Sequence, residues 1–172
     1  TLAEVREALG AREIHEFGGI EPNPSYETLM KAVELIREQK IDFLMAVGGG
    51  SVIDGTKFIA AAVNYPLADK WQILKGQSSK IIDAIKFGAI LTLPATSSEV
   101  NEWAVISRKD TNEKVAFSHK PLFPEFAILD PEVTYSLPKR QLVNGIIDPF
   151  IHVTEQYLTT NINTPLQDGY SE

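Results

Sequence analysis

The sequence predicts an α/β fold in which a parallel sheet comes first and helices alone follow. Two continuous apolar runs, residues 41–47 and 89–94, indicate strands that are covered on both faces, which is typical of a parallel sheet. Helical and extended patterns alternate until about residue 137, and the pattern is only helical from there to Glu172. The chain is therefore predicted to contain an α/β part, residues 1–137, and the start of a helical part, residues 138–172.

The elements before the first apolar run follow from local patterns. A mixed-charge periodic stretch predicts a short helix at residues 2–9, and residues 13–17 predict a short strand. Asn23 and Pro24 predict the next helix start, because Asn caps a helix and Pro at the first position loses no needed hydrogen bond. That helix is expected to run to about Gln39. Its apolar face is formed by Leu29, Val33 and Ile36.

Three glycines follow the first apolar run, and they are predicted to form a turn that leads into a helix. Shorter extended segments are predicted at residues 103–107, 115–117 and 126–129. Near the end of the chain, Thr164 is a predicted cap, and Pro165 stands at the first position of a last helix.

Composition excludes several classes of function. The formal net charge of -7 argues against nucleic acid or an anionic membrane as a general partner. Without cysteine there is no disulfide and no thiolate ligand or nucleophile, which fits a reducing cytoplasm. No apolar run approaches the ~20 residues of a membrane span. The chain begins at Thr1 without a methionine, so we expect it to be cut or processed at its front.

The first chemical motif is "AVGGGSVIDGTKF", residues 46–58, in which a buried strand enters glycines and then a helix. Glycines let the backbone approach an anion closely, and the helix start offers it amides and a favourable dipole. The motif predicts a phosphate cradle, although a tight strand-to-helix turn explains it equally well. Ser51 would cap the helix or bind a phosphate. Asp54 would reach a ribose or only sit near the positive helix end.

The second motif, "LTLPATSSEVN", residues 91–101, places small hydroxyl residues where the second apolar strand ends. Ligands of open α/β sheets bind at the carboxyl ends of the strands. The candidate donors to phosphate or ribose are Thr92, Thr96, Ser97 and Ser98, and the alternative is a polar turn with hydroxyl caps. Lys114 is a further candidate cation, although a solvated lysine is the usual finding.

The third motif, "NGIIDPFIHVTEQYL", places Asp148 and His152 four residues apart, on one face of a helix. A carboxylate and an imidazole so placed can share a metal ion, but such ions usually take three or four ligands. The alternative is an ordinary polar pair on a helix surface. Pro149 follows Asp148 directly, so the helix is expected either to begin there with Asp148 as its cap or to kink.

Taken together, four stretches resemble the iron-containing (group III) alcohol dehydrogenases. They are "FGGIEPNPSYETLMKAVELIREQKIDFLMAVGGGSVIDGTKFIAAA", "LTLPATSSEVNEWAVIS", "FAILDPEVTYSLPKRQ" and "NGIIDPFIHVTEQYLT". The branch that they resemble comprises NADPH-dependent butanol dehydrogenases and broad-range aldehyde reductases. The resemblance covers nearly the whole chain from Phe17 onward. One departure is Ser97-Ser98-Glu99, where the family often has Gly-Ser-Glu.

The resemblance implies a dehydroquinate synthase-like fold, with a Rossmann-like dinucleotide-binding domain and then an all-helical domain. Residues 1–137 would form the first domain, incomplete at its front, and residues 138–172 the first helices of the second. The cofactor would be NADP or NAD, bound by Asn23, Gly49, Gly50, Ser51, Asp54, Thr92, Thr96, Asn101, Lys114 and the backbone near Val133. A divalent metal (iron, zinc or manganese) would be bound by Asp148, His152 and two histidines further along a chain about twice as long.

The implied function is hydride transfer between the nicotinamide and an aldehyde or primary alcohol. The resemblance also implies a homodimer for the full-length parent, and we expect these 172 residues alone to be inactive. Two alternatives remain. One is a nucleotide-binding module without catalysis, and the other is a related synthase that uses NAD and a metal.

Overall fold

The computed structural model describes residues 1–159 and 163–172 and confirms the α/β fold that the sequence predicts. The chain divides into two compact units, Thr1–Thr134 and Tyr135–Glu172. The first unit contains the strands of the described chain, and the second contains two helices. The predicted assignment of residues 1–137 to a cofactor domain and 138–172 to a metal domain stays a prediction.

The main sheet of the first unit is parallel, with strand order β1-β2-β5. Its strands are β1 (Phe43–Gly48), β2 (Lys86–Leu91) and β5 (Phe126–Leu129). Both predicted apolar strands are present, but the second begins and ends three residues earlier than the predicted range, 89–94. Because the strands are parallel, their carboxyl ends lie along one edge, where ligands of such sheets bind.

Helix α3 (Gly50–Val63) follows β1 and is the centre of the core. Every residue from position 55 to position 63 is buried, because α3 packs between the sheet, helix α2 (Tyr26–Gln39) and strand β3 (Trp103–Arg108). The face of α2 that packs here is the predicted one, since Leu29, Val33 and Ile36 are buried.

A two-stranded antiparallel hairpin joins β2 to β5 and is formed by β3 and β4 (Glu113–Ser118). The hairpin is hydrogen-bonded to the loop before α2 and to the first turn of α2. Ser107 N donates to Pro24 O at 2.9 Å, and Lys109 N donates to Glu27 Oε1 at 3.0 Å. These bonds bring a loop from the front of the chain next to the hairpin, which the sequence did not predict.

Two expectations about the front of the chain are wrong. Residues 13–17 form no strand, because they have no ladder partner in the described chain. Helix α2 begins at Tyr26 and not at Pro24, with Ser25 as the cap, whose Oγ accepts from Thr28 N at 3.4 Å. Asn23 has φ 58 and lies in the turn before the cap. The predicted helix α1 (Leu2–Leu9) is present.

The second unit consists of α4 (Lys139–Thr159) and α5 (Pro165–Ser171), and residues 160–162 of the predicted helical stretch lie outside the described residues. Helix α4 continues through Pro149, so the alternative in which Asp148 caps a new helix is wrong. Thr164 stands at the cap position of α5, and its hydroxyl donates to Asp168 Oδ1 at 3.1 Å. In the described ranges, no helix is long and apolar enough to cross a membrane.

Glu21 anchors the loop before α2. Its Oε1 accepts hydrogen bonds from Lys109 Nζ at 2.7 Å, Ser25 Oγ at 2.7 Å and Thr28 Oγ1 at 3.2 Å. Partial burial by itself raises the pKa of Glu21, but these donors outweigh it and lower the pKa from 4.5 to about 2. The ionised carboxylate is therefore the form that the folded loop stabilises.

Because the pKa of Glu21 is lowered on folding, the stabilising effect should be complete above pH 4.5 and lost as the pH falls towards 2. We expect the wild-type chain to unfold at higher urea concentration than Glu21→Gln at pH 6, with the difference shrinking from pH 4.5 downward. Equilibrium urea unfolding of both chains across this range measures it. A difference that is constant with pH would show that the carboxylate is not stabilised by folding.

Candidate nucleotide and metal sites

The predicted cradle lies where β1 and β2 end. Gly49 is the cap residue of α3, and Gly48 O accepts from Thr92 N at 3.0 Å, which joins the two strand ends. In the part of the chain that the structure describes, the backbone amides of Gly50 and Ser51 donate to no acceptor, as expected for the first turn of a helix. Unpaired amides at the positive end of a helix dipole are suited to binding a phosphate.

Glycine at position 50 is required by a close approach. A Cβ at this position would lie 2.4 Å from Thr96 Oγ1 and 2.7 Å from its Cγ2. The loop after β2 therefore packs directly on the helix start, and a larger residue at position 50 would push the loop away. This close packing by itself requires glycine at position 50, so both interpretations of the glycine run, a phosphate cradle and a tight strand-to-helix turn, stay open.

A second group of predicted residues meets beside the helix start. Asn23 N donates to Ser51 Oγ at 3.3 Å, and Lys114 Nζ donates to Asn23 Oδ1 at 2.7 Å. Ser51 is inside α3 and does not cap it, so that alternative is wrong. The loop before α2, the start of α3 and strand β4 thus bring three candidate cofactor ligands together from distant parts of the sequence.

Asp54 lies on the first turns of α3 and faces the loop after β2. Its Oδ1 accepts from Ser98 Oγ at 2.8 Å, and its Oδ2 accepts from Val105 N at 2.9 Å. Ser98 Oγ also lies 2.7 Å from Thr96 Oγ1. Burial raises the pKa of Asp54 above its ordinary value, and the bonds from Val105 and Ser98 act against the rise. Both carboxylate oxygens therefore already accept hydrogen bonds from the protein. Asp54 thus connects α3 to Ser98 and Val105, whether or not it also contacts a ribose.

Lys57 contacts Asn101, a predicted cofactor ligand, although no motif in the sequence singles out this lysine. It is fully buried in α3, and its Nζ donates to Asn101 Oδ1 at 2.9 Å and to Trp103 O at 2.7 Å. Burial lowers the pKa of Lys57 to about 8, and the nearby Asp54 carboxylate acts in the opposite direction. The signal in the sequence was that Lys57 is the one charged residue among positions 55–63, a stretch otherwise suited to burial, because a lysine is almost never fully buried without partners.

The other predicted residues are placed differently. Thr92 contributes its backbone amide, which donates to Gly48 O at the end of β1. Val133 lies in a 3₁₀ helix, Pro131–Ser136, that follows β5. Because β5 pairs with β2, this helix begins near the same edge of the sheet as the cradle. Its predicted role as a backbone contact of the cofactor rests on this placement.

Asp148 and His152 lie on one face of α4 with His152 Nε2 3.6 Å from Asp148 Oδ2, and both side chains are exposed. A carboxylate oxygen and an imidazole nitrogen suit iron, zinc or manganese, so the pair fits as two ligands of a metal site. Among residues 1–159 and 163–172, no group of three or more His, Cys, Asp or Glu side chains is placed to bind a metal. The pair alone is an incomplete site.

Ser97 has φ 53 and ψ 20, a left-handed conformation that glycine adopts without strain. This is the position at which the resembled family often has glycine. We expect Ser97→Gly to raise the free energy of unfolding by about 0.5–1 kcal/mol, since relief of strain exceeds the added entropy of the unfolded chain. Urea unfolding measures it, with Ser78→Gly as a control outside the left-handed region. If Ser97→Gly destabilises the chain as much as Ser78→Gly does, the left-handed conformation of Ser97 is not strained.

The chain is similar to known proteins along nearly its whole length. The model of the family "Iron-containing alcohol dehydrogenase" matches residues 1–131. The chain is 56% identical to the NADPH-dependent aldehyde reductase YqhD of Escherichia coli, over 99% of this chain and 44% of that protein. It is 50% identical to a probable NADH-dependent butanol dehydrogenase 2 of Bacillus subtilis, over 90% of this chain and 39% of that protein.

The fold agrees with solved structures of the same group. A crystal structure of E. coli YqhD superposes with a TM-score of 0.90 over 99% of this chain and 44% of that chain. An NADH-dependent butanol dehydrogenase A from Thermotoga maritima, 38% identical, superposes with a TM-score of 0.76 over 84% of this chain and 36% of that chain. The chain thus spans less than half the length of these relatives. By sequence and by fold, it belongs to the iron-containing alcohol dehydrogenase family.

Proposed function

We propose that this chain provides the nucleotide cradle and two metal ligands of an oxidoreductase that transfers a hydride between NADPH or NADH and an aldehyde or primary alcohol. The observation that supports it best is the start of α3, where the unpaired amides of Gly50 and Ser51 stand beside Asn23 and Lys114. The names of the relatives support the reaction class, and they include both an NADPH-dependent reductase and NADH-dependent dehydrogenases.

The roles of the residues follow from their chemistry. The amides of Gly50 and Ser51 would bind the pyrophosphate, and the Lys114 ammonium would offset its charge in a chain whose net charge is -7. The side chain of Thr96, already close to position 50, would lie beside the same groups. When bound, the nicotinamide supplies or accepts the hydride, and the protein contributes placement and electrostatics.

Asp148 and His152 would hold the metal from one face of α4, the carboxylate contributing charge and the imidazole a neutral nitrogen. When bound, the metal supplies Lewis acidity towards the substrate oxygen. Because the pair is an incomplete site in the described residues, we expect this chain alone to have no reductase activity. The preference between NADP and NAD, the cytoplasmic location and the homodimer stay predictions.

The test is a fluorescence titration of the full 172-residue chain with NADPH and, separately, with NADH. Saturable enhancement of nicotinamide fluorescence that is reversed by excess NADP+ or NAD+ would support the proposal, and the ratio of the two dissociation constants would measure the preference. The titration is repeated with EDTA, which should leave the dissociation constants unchanged because the metal ligands lie outside the cradle motifs. Absence of binding for both nucleotides would contradict the proposal for this chain.

A further inference from the structure

We infer that Lys57 is a positioning residue of the nucleotide site. Its ammonium donates a hydrogen bond to the side-chain oxygen of Asn101, so that the amide nitrogen of Asn101 is left as a donor for the cofactor. The inference rests on the proposed function and adds a residue that acts through another. Lys57 is buried within α3 and has no route of its own to a ligand.

The orientation of the Asn101 amide follows from the chemistry of its neighbours. Lys57 Nζ lies 2.9 Å from Asn101 Oδ1, and Trp103 N donates to the same oxygen at 2.9 Å. A lysine ammonium and a backbone amide can only donate, so the end of the Asn101 side chain that faces them must be the oxygen. In the described chain, the amide nitrogen of Asn101 donates to no other residue, and two donors remain there for a ligand.

A similar contact between a lysine and an asparagine occurs at Asn23. Lys114 Nζ holds Asn23 Oδ1 at 2.7 Å, so the nitrogen of that amide is also the end left for a ligand. Two asparagines, each with its oxygen occupied by a lysine, therefore offer only donors. A ligand rich in acceptors, such as a dinucleotide with its phosphates, ribose oxygens and carboxamide oxygen, suits such a pair.

Lys70 provides a matched control within the first unit. It is also buried, and its Nζ donates to the backbone oxygens of Tyr65 and Leu67, both at 2.7 Å. It thus makes the same kind of contact as Lys57 but holds no candidate ligand residue. Lys70→Met removes a buried, hydrogen-bonded ammonium without touching the cradle, so it reproduces the structural cost of Lys57→Met.

The experiment is a double-mutant cycle on NADPH affinity in the full chain, with Lys57→Met, Asn101→Ala and the double variant. We expect each single variant to weaken binding about fivefold to tenfold, and the double variant to be no more than about twofold weaker than Asn101→Ala alone. Lys70→Met should lose stability but keep its dissociation constant within about twofold. Losses that multiply in the double variant, or an equal loss in Lys70→Met, would overturn the inference.

A second readout separates this inference from the proposed function. In ¹⁵N-labelled wild-type chain, NADPH should shift the backbone amide signals of Gly50 and Ser51 and the side-chain amide signals of Asn101. In Lys57→Met, the backbone shifts should persist, whereas the Asn101 side-chain shift should shrink. Two outcomes would overturn the role of Lys57 alone. In one, NADPH shifts the backbone signals but not the Asn101 side-chain signals, and in the other it shifts the Asn101 side-chain signals equally in wild type and Lys57→Met. No shift in the wild-type chain would overturn the nucleotide site and this inference together.

Discussion

Gly50→Val is expected to weaken NADPH binding by about 10-fold to 100-fold, equivalent to ~1.4–2.8 kcal/mol. A Cβ at position 50 would lie 2.4 Å from Thr96 Oγ1, far inside van der Waals contact, and valine adds two further methyl groups. The loop after β2 must then move away from the start of α3, which separates Thr96 from the amides of Gly50 and Ser51. Nicotinamide fluorescence titration measures the dissociation constant.

The controls for Gly50→Val distinguish a local effect from general damage. Gly18→Val is the matched substitution, because a Cβ at Gly18 meets no atom within 4 Å and the residue is exposed in the same unit. It should leave the affinity unchanged. The milder Gly50→Ala should cost less when Thr96→Ala is already present, since the clashing Oγ1 and Cγ2 atoms are then gone. Wild-type affinity in a folded Gly50→Val chain would contradict the cradle and leave the glycines as a tight turn.

The strands were predictable because their patterns are local. The apolar run before the glycines forms β1, and the hydroxyl-rich stretch after the second run begins where β2 ends, so parallel pairing brings both motifs to one edge. The predicted start of α2 is wrong because Asn23-Pro24 and Ser25 are competing local signals for the helix cap. Asn23 adopts a left-handed conformation in the preceding turn, and Ser25 is the cap. The hydrogen bonds between this loop and the hairpin select one of the two caps, and a local sequence pattern cannot predict such long-range bonds.

The site was only partly predictable for the same reason. The glycines, Thr96 and the Asp148–His152 pair stand in short motifs that carry their own chemistry. Lys57 does not, because its task depends on Asn101, which is separated from it by 44 positions and reaches it only through the packing of α3 on the loop after β2. A residue that acts through another residue leaves little sign in the sequence, in this case one charged side chain among the buried positions 55–63.

Asp54→Ala is expected to lower the free energy of unfolding by about 2–3 kcal/mol, because it leaves the partly buried amide of Val105 without an acceptor and removes one of the hydrogen-bond partners of Ser98 Oγ. Asp54→Asn should cost less than about 1 kcal/mol, since the amide oxygen can accept from Val105 N while the amide nitrogen donates to Ser98 Oγ. Urea unfolding measures both values. Asp83→Ala, at an exposed carboxylate with one 3.4 Å hydrogen bond from Asn64, is the control and should change stability by less than about 0.5 kcal/mol.

The asparagine variant then decides between the two interpretations of Asp54. A carboxylate that already accepts two protein hydrogen bonds keeps lone pairs with which to accept from a ribose hydroxyl, and a charge-assisted bond of that kind accounts for roughly tenfold in affinity. In Asp54→Asn the nitrogen end can no longer accept, and the oxygen end accepts without the negative charge, so we expect a folded chain whose NADPH affinity is about tenfold weaker. If Asp54→Asn is folded and binds as tightly as the wild-type chain, the carboxylate only ties α3 to the loop after β2, and ribose recognition must come from other residues of the cradle.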